Sequence, residues 1–252
     1  MFKQLTYYVI KLPIYFISDN HFSMENTQSE QIRREKLFTL FEKIKQTKGT
    51  LIIGGDFFDF WFDYKNVVPK GYNSILFKLE ELFKSGIKIH YILGNHDFWD
   101  FGSFTNIFGA TVHKGDLEFD VNGKKILVTH GDGLLKDDKA YRFMKLIIRS
   151  KVAIFLFKLF HPDWGCALAK KISKTSSNYH HHDEKSTQIR KEISTFAEKK
   201  WTQGYDTVLV GHYHQTKIDT CDTKKLIFMG DWLKHFTVTL LDENGWNQFK
   251  WN

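Results

Sequence analysis

The sequence predicts an α/β fold, and three observations carry that reading. Short apolar runs recur at 13–18, 50–54, 87–93 and 207–210. Segments with apolar residues at helical spacing lie between the first three of them. Each run breaks off at glycine or at polar, ligand-type side chains instead of alternating with polar positions. Continuous apolar runs are the mark of strands buried on both faces, and regular strand–helix alternation is the mark of parallel sheets.

Residues 1–12 lead into the first strand, 13–18, which stops at Asp19-Asn20-His21; 22–28 is a polar loop. Over 29–48, Ile32, Leu37, Leu40, Phe41 and Ile44 recur at helical spacing, and Gly49 is expected to end the helix. The strand 50–54 then runs into Gly54-Gly55-Asp56. Open α/β sheets bind ligands at the carboxyl ends of their strands, and glycine lets backbone approach closely, so Asp56 stands where chemistry would be done. Phe57-Phe58-Asp59-Phe60-Trp61-Phe62 reads as core or pocket wall, and 63–71 as a loop. A second helix, 72–85, carries Ile75, Leu76, Leu79, Leu82 and Phe83 on one face, and Gly86 closes it. The strand 87–93 delivers Gly94-Asn95-His96-Asp97. Residues 111–129 read as a β-hairpin with Asn122-Gly123 at its turn, and its second strand delivers His130-Gly131-Asp132.

Helix resumes near Asp137, and an apolar stretch from Phe143 to Phe160 carries Lys145, Arg149, Lys151 and Lys158 before Pro162 and Gly165 break it. Residues 166–183 are basic and serine-rich and include His180-His181-His182, which read as solvated. A longer helix, 184–203, turns Ile189, Ile193, Phe196 and Ala197 inward. The strand 207–210 reaches Gly211-His212-Tyr213-His214, and two or three strands follow near 215–219, 225–229 and 235–241. His90 reads as a packing or edge residue, while His113, His161 and His235 have no nameable partner.

A net charge of +7 suits an anionic partner, yet no basic-aromatic pattern of a nucleic-acid module is present. Cys166 and Cys221 match no metal spacing and are expected to be packing residues in a reducing, cytoplasmic setting. Neither a signal peptide nor a spanning helix is expected.

Five blocks carry hard-oxygen or imidazole donors: Asp19-x-His21, Gly55-Asp56, Gly94-Asn95-His96-Asp97, His130 and Gly211-His212-Tyr213-His214. Such donors suit manganese, iron or zinc. If these segments are extended, Asp19 with His21, and His212 with His214, can each face one site. A pair of ions needs a shared carboxylate, and Asp56 is the candidate.

In this order the blocks resemble the calcineurin-like metallophosphoesterases, over 14–132 and 207–231. The resemblance implies a four-layer α/β/β/α sandwich spanning 1–252 as one domain, with a helical cap inserted at 137–190. It implies two divalent ions, manganese first. Asp19, His21, Asp56 and His214 would hold one, and Asp56, Asn95, His130 and His212 the other. His96 would stabilise the transition state or donate a proton, with Asp97 orienting it by a hydrogen bond. Asp56 through Trp61, His130-Gly131-Asp132-Gly133 with Asp138 and Tyr141, and Gly230-Asp231-Trp232 resemble a narrower group, the UDP-2,3-diacylglucosamine pyrophosphatases of lipid A synthesis, in their Bacteroidetes form. That group releases UMP and 2,3-diacylglucosamine 1-phosphate.

The narrower resemblance implies a lipid-linked nucleotide sugar as substrate, peripheral attachment to the inner membrane and a monomeric chain. Asn95, His96, Asp138, Lys185 and His212 become the expected substrate contacts, with Lys174 as a further one. Many proteobacterial members carry arginine where this chain has His96, and histidine lacks the bidentate phosphate grip of arginine. On the residues alone three other readings stay open: a phosphoesterase for soluble nucleotides or phosphoproteins, a non-catalytic scaffold, and a basic nuclease.

Overall fold

The computed structural model describes residues 10–167 and 183–252. Lys174 and His180 to His182 lie outside these residues, as does the side chain of Lys185. Two sheets form the framework. In the first, β1 (Ile14–Ile17), β2 (Thr50–Ile53), β3 (Ile89–Ile92) and β4 (Thr111–His113) run parallel, each beside the next. In the second, β5 (Leu117–Val121) pairs antiparallel with β6 (Lys124–Thr129), and β6 runs parallel to β7 (Thr207–Val210). Beyond β7, β8 (Thr216–Cys221) and β9 (Lys224–Met229) complete the order β5-β6-β7-β9-β8. The last two strands, β10 (Thr237–Asp242) and β11 (Gly245–Lys250), return antiparallel to the free side of β1.

Alternation along the strands builds three apolar layers. Ile14, Phe16, Ile52 and Ile92 meet Ile126, Val128, Leu209, Ile227 and Met229 between the sheets. On the far side of the first sheet, Ile17, Leu51, Ile53 and Tyr91 pack on α1 (Gln28–Thr47) and α2 (Asn73–Lys84) through Leu37, Leu40, Phe41, Leu76 and Leu79. On the far side of the second, Leu127, Val208, Val210 and Phe228 pack on Ile193 and Ala197 of the long C-terminal helix Asp183–Thr202. The layer order is therefore α/β/β/α. Strands buried on both faces explain why they read as unbroken apolar runs.

Several local expectations change. Helix α1 ends on Lys48, which takes the left-handed conformation at φ 51°. Gly49 is needed for space instead, because a Cβ there would lie 2.7 Å from the Pro13 carbonyl. Ile32 is exposed, and Phe83, 40% exposed, lays its ring against Gly109 instead of joining the core. The expected hairpin 111–129 is shorter, with its turn at Asn122-Gly123 in place, because β4 leaves it to pair with β3 in the other sheet. The short helix α3 (Ser103–Phe108) and β11 were not anticipated. Cys221 is exposed on β8 and Cys166 is half-buried, so neither packs in the core.

Between β6 and β7 the chain leaves the sandwich as α4 (Lys139–Ile148) and α5 (Lys151–Lys158), neither of which buries a residue; the 183–202 helix, α6, brings it back. Pro162 does not break the structure but opens a further helical stretch over 162–167. Helices α4 and α5 stand on the loops that follow β2 and β3. The Trp99 indole donates to the Ile148 carbonyl at 3.3 Å, and the Phe157 ring lies 4.5 Å from that of Phe62. Among the described residues no helix is long and apolar enough to cross a membrane.

Candidate metal centre

The five blocks converge at the carboxyl ends of β1, β2, β3, β6 and β7, so the first sheet supplies Asp19, His21, Asp56 and Asn95 and the second supplies His130, His212 and His214. Adjacent parallel strands bring their tips together, and the loops are tied directly: Asp19 N–H donates to the Gly55 carbonyl at 3.0 Å and His21 N–H to the Asp56 carbonyl at 2.8 Å. Asp19, His21 and His214 form one donor cluster, and Asp56, His130 and His212 another. The convergence is not that of extended segments. Asp19, His21, Asp56, His212 and His214 have φ between 44° and 64°. Left-handed backbone at non-glycine residues is strained and gathers at functional sites. It sends His212 and His214 to different clusters, a correction to the i, i+2 argument.

Separations within the site suit shared cations better than hydrogen bonds. His214 Nε2 lies 3.5 Å from Asp19 Oδ1, while His21 Nε2 lies 3.9 Å from Asp19 Oδ1 and 3.8 Å from Asp56 Oδ2. Donors each about 2.1 Å from one ion sit roughly 3–3.5 Å apart. Asp19 Oδ1 and His21 Nε2 are buried with no hydrogen-bond partner, a situation folded proteins avoid unless something else satisfies the atoms. The ring of His130 points the same way. Its Nδ1 meets the Gly54 carbonyl at 2.9 Å, which places the proton there. Its Nε2 then faces two acceptors, Asp56 Oδ2 at 3.3 Å and Asn95 Oδ1 at 3.1 Å. The donor set thus fits two divalent ions with Asp56 between them.

The charges show the same demand. Burial and the neighbouring Asp56 push the Asp19 carboxyl up to about 7, although His130 opposes this. Burial also works against ionisation of Asp56, but His130, His96 and His21 hold it well below the usual carboxylate range. Burial disfavours a charged His130, yet Asp56 and Asp19 raise it to about 10. Two buried carboxylates this close call for positive charge, and here the imidazoles stand in for it.

His96 presents Nε2 to the cluster, 4.0 Å from Asp56 Oδ2, and its backbone N–H donates to Asp56 Oδ1 at 2.8 Å. The expected orienting bond from Asp97 is not there. Asp97 is wholly buried and turned the other way, accepting from Phe57 N–H (2.8 Å), Gly94 N–H (2.8 Å) and the Tyr91 hydroxyl (2.5 Å). It braces the loops that carry Asp56 and Asn95. Asp59 orients His96 instead: its carbonyl takes the Nδ1 proton at 2.6 Å, and its carboxylate lies 3.9 Å from His21 Nδ1. Burial counts against a charged His96, but Asp56 and Asp59 prevail and raise its pKa.

Asp138 caps no backbone group through its side chain and belongs to none of the donor clusters; it opens α4. Tyr141, three residues on, donates to Asp132 at 2.9 Å, with its ring 6.4 Å from that of His212. Sequence reasoning missed Arg33. From α1 it bonds the carbonyls of Asn20, His21 and Trp232, and Glu30 pairs with it at 2.6 Å. Its one sequence signal is the Glu30-x-x-Arg33-Arg34 spacing. Three histidines without an expected partner have one: His113 meets His90 at 3.1 Å, His235 meets Asp231 at 2.6 Å, and His161 lies 3.6 Å from Asp163.

The calcineurin-like phosphoesterase family pattern matches residues 12–216, which takes in the whole donor set. The chain is a calcineurin-like metallophosphoesterase. This phosphoesterase is 30% identical over 246 residues to a UDP-2,3-diacylglucosamine hydrolase of Porphyromonas gingivalis, covering 91% of this chain and 94% of that protein. It is 30% identical over 238 residues to a UDP-2,3-diacylglucosamine hydrolase of Haemophilus influenzae, covering 92% of this chain and 95% of that one. A solved archaeal phosphodiesterase superposes with TM-score 0.49 at 15% identity, over 94% of this chain and 99% of that one. As a metallophosphoesterase with buried His/Asp clusters, the chain is a hydrolase.

Proposed function

We propose that this metallophosphoesterase hydrolyses the pyrophosphate bond of UDP-2,3-diacylglucosamine, giving UMP and 2,3-diacylglucosamine 1-phosphate. The similarity to two hydrolases of that name over nine-tenths of their length supports the reading. The observation that carries it is the apolar surface of α4, α5 and the stretch to 167 that follows them, beside the metal centre. Phe143, Leu146, Val152, Phe155, Leu159 and Trp164 are all more than 60% exposed. A water-soluble substrate gives such a surface nothing to do, whereas acyl chains and a lipid interface would cover it. Lys139, Lys151 and Lys158 on the same two helices suit anionic headgroups. A cavity of about 480 Å³ lies under this insert, walled by Phe60, Phe62, Val67, Val68, Pro162 and Cys166. We take 137–190 as the cap of one continuous domain, resting on the cytoplasmic face of the membrane.

In this reading Asp19, His21, Asp56 and His214 hold one divalent ion, and Asp56, Asn95, His130 and His212 the other, manganese first. Two ions bound there would supply Lewis-acid charge to the phosphoryl group and lower the pKa of a water. The chain does the rest. Asn95 and His212 orient the bound phosphoryl group. Asp59 holds the ring through Nδ1–H and, with Asp56, favours the imidazolium, whose second proton, on Nε2, faces the leaving oxygen and is given to it. Asp97 and Arg33 hold the loops still. Asp138 and Lys185 are assigned to substrate from the cap.

The test is incubation of the purified protein with manganese and UDP-2,3-diacylglucosamine in mixed micelles, following UMP. Steady manganese-dependent release is expected. Turnover of bis(p-nitrophenyl) phosphate with no UMP from the lipid would leave a phosphoesterase with some other substrate.

A further inference from the structure

We propose that Arg149 grips the phosphoryl group of a diphosphate substrate that the paired cations do not hold. The inference rests on the diphosphate reading above and adds a residue to it. A diphosphate diester carries about one negative charge on each phosphorus, and a paired-metal site answers mainly the one that is attacked. The second needs its own cation, and it must come from a part of the chain that overhangs the site.

Helix α4 places Arg149 there. Its guanidinium sits over the Phe98 ring, with Cζ 3.6 Å from the ring centre. Phe98 follows Asn95-His96-Asp97, so the cation is shelved on the same loop that presents the phosphate-facing side chains. One nitrogen, Nη2, touches the Gly94 carbonyl and an Asp132 oxygen, both at a long 3.4 Å. Those contacts fix the height of the fork without saturating it. Nε and Nη1 carry no hydrogen bond among the described residues. Stacking holds the plane of a guanidinium and leaves its edge donors free, the arrangement in which arginine recognises phosphate bidentately.

The neighbours keep that charge available. Asp132 would quench Arg149 if it were a close partner, but Lys145 occupies the same Asp132 oxygen at 2.5 Å and Tyr141 donates to it at 2.9 Å. Arg149 is left at the edge of a carboxylate that is already answered. Its side chain is only 19% exposed, so a bound anion would face it away from bulk water, where a charge-assisted bond counts for more.

The test compares wild type, Arg149→Ala and Arg149→Lys on two substrates with manganese, UDP-2,3-diacylglucosamine and bis(p-nitrophenyl) phosphate. It also measures inhibition of the second reaction by UDP and by UMP. In Arg149→Ala the ratio of kcat/KM on the lipid to kcat/KM on the simple diester is expected to fall at least tenfold. The UDP inhibition constant should rise at least tenfold relative to that of UMP. Arg149→Lys keeps the stem and the charge but not the planar fork, so it should fall between the two. Equal losses on both substrates, or an unchanged UDP to UMP ratio in both variants, would overturn the assignment. The inhibition arm needs no lipid, so wild type that ignores the lipid refutes the proposed substrate while Arg149 is still judged by UDP.

Discussion

Gly94→Ala tests the geometry of the metal centre most directly. A Cβ at position 94 would lie 2.1 Å from Asp56 Oδ1, 2.5 Å from Asp56 N and 2.8 Å from Asp56 Cγ. Non-bonded carbons do not come within 3.0 Å of such atoms, so the Asp56 carboxylate must retreat by about 1 Å. Gly94 is not among the positive-φ glycines, so alanine is tolerated by the backbone and the effect is purely steric. Asp56 belongs to the cluster of His130 and His212, lies 3.8 Å from His21 Nε2 and accepts the His96 N–H, which leaves it no neutral direction in which to move. A misplacement of about 1 Å in a catalytic arrangement costs on the order of 100-fold in rate. We expect Gly94→Ala to lose at least that in manganese-dependent hydrolysis of bis(p-nitrophenyl) phosphate, and to bind manganese more weakly by calorimetry. Gly115→Ala, with nothing within 4 Å of the new methyl, is the matched control and should behave as wild type. Wild-type affinity for manganese and a kcat within threefold in Gly94→Ala would show that Asp56 does not sit where the argument needs it.

Asp97→Ala should destabilise the fold by roughly 3 kcal/mol or more, because it strands two buried N–H groups and the Tyr91 hydroxyl; urea unfolding measures it, and a loss under 1 kcal/mol would refute the bracing function. His96→Ala should instead leave the melting temperature within a degree or two while kcat falls, since the ring rests on one carbonyl. Burial, with the charge of His113 and Lys88 added, lowers the pKa of His90 to about 4, and burial alone does the same for His113. Unfolded histidine binds its proton near 6.5, so the unfolded chain protonates first as the pH falls. Stability should therefore drop between about 6.5 and 4, by roughly 2 kcal/mol per imidazole at pH 5. Urea curves at pH 7.5 and 5.0 check this against the His90→Gln/His113→Gln double variant, which should lose the excess slope. Phe155→Ser with Leu159→Ser should weaken cosedimentation with anionic phospholipid vesicles severalfold; unchanged binding would remove the membrane face from α5.

The donor blocks were legible because buried parallel strands write themselves as unbroken apolar runs, and each run stops where its ligand begins. The separation of His212 from His214 came only with the family likeness and not from spacing, because it depends on left-handed backbone at two histidines, which no residue pattern marks. Asp59 escaped for a related reason: it works through its carbonyl, which every residue possesses. Arg33 and Arg149 act on groups far away in sequence, and an arginine on a helix looks the same whether it meets water or a loop 55 positions away. Strand β4 was misread because three residues beside a genuine hairpin carry no mark of which sheet they join. The layer order came from family likeness, and the alternation of Ile14 and Phe16 against Ile17 now gives it a physical basis.

The donor set spans a seam. Three of its strands belong to one sheet and two to the other, and what otherwise joins the sheets there is an apolar layer of Ile, Val, Leu, Phe and Met side chains with a few hydrogen bonds, such as His130 to the Gly54 carbonyl and His212 N–H to Asp19. Cations held there would act as a rivet through both leaves of the sandwich, so that folding energy and metal affinity would be drawn from the same account. Chelation should then do more than silence the enzyme. The tips of β1 and β7 are expected to exchange their amide hydrogens faster in chelator, while the outer helices, fastened each to its own leaf, stay protected.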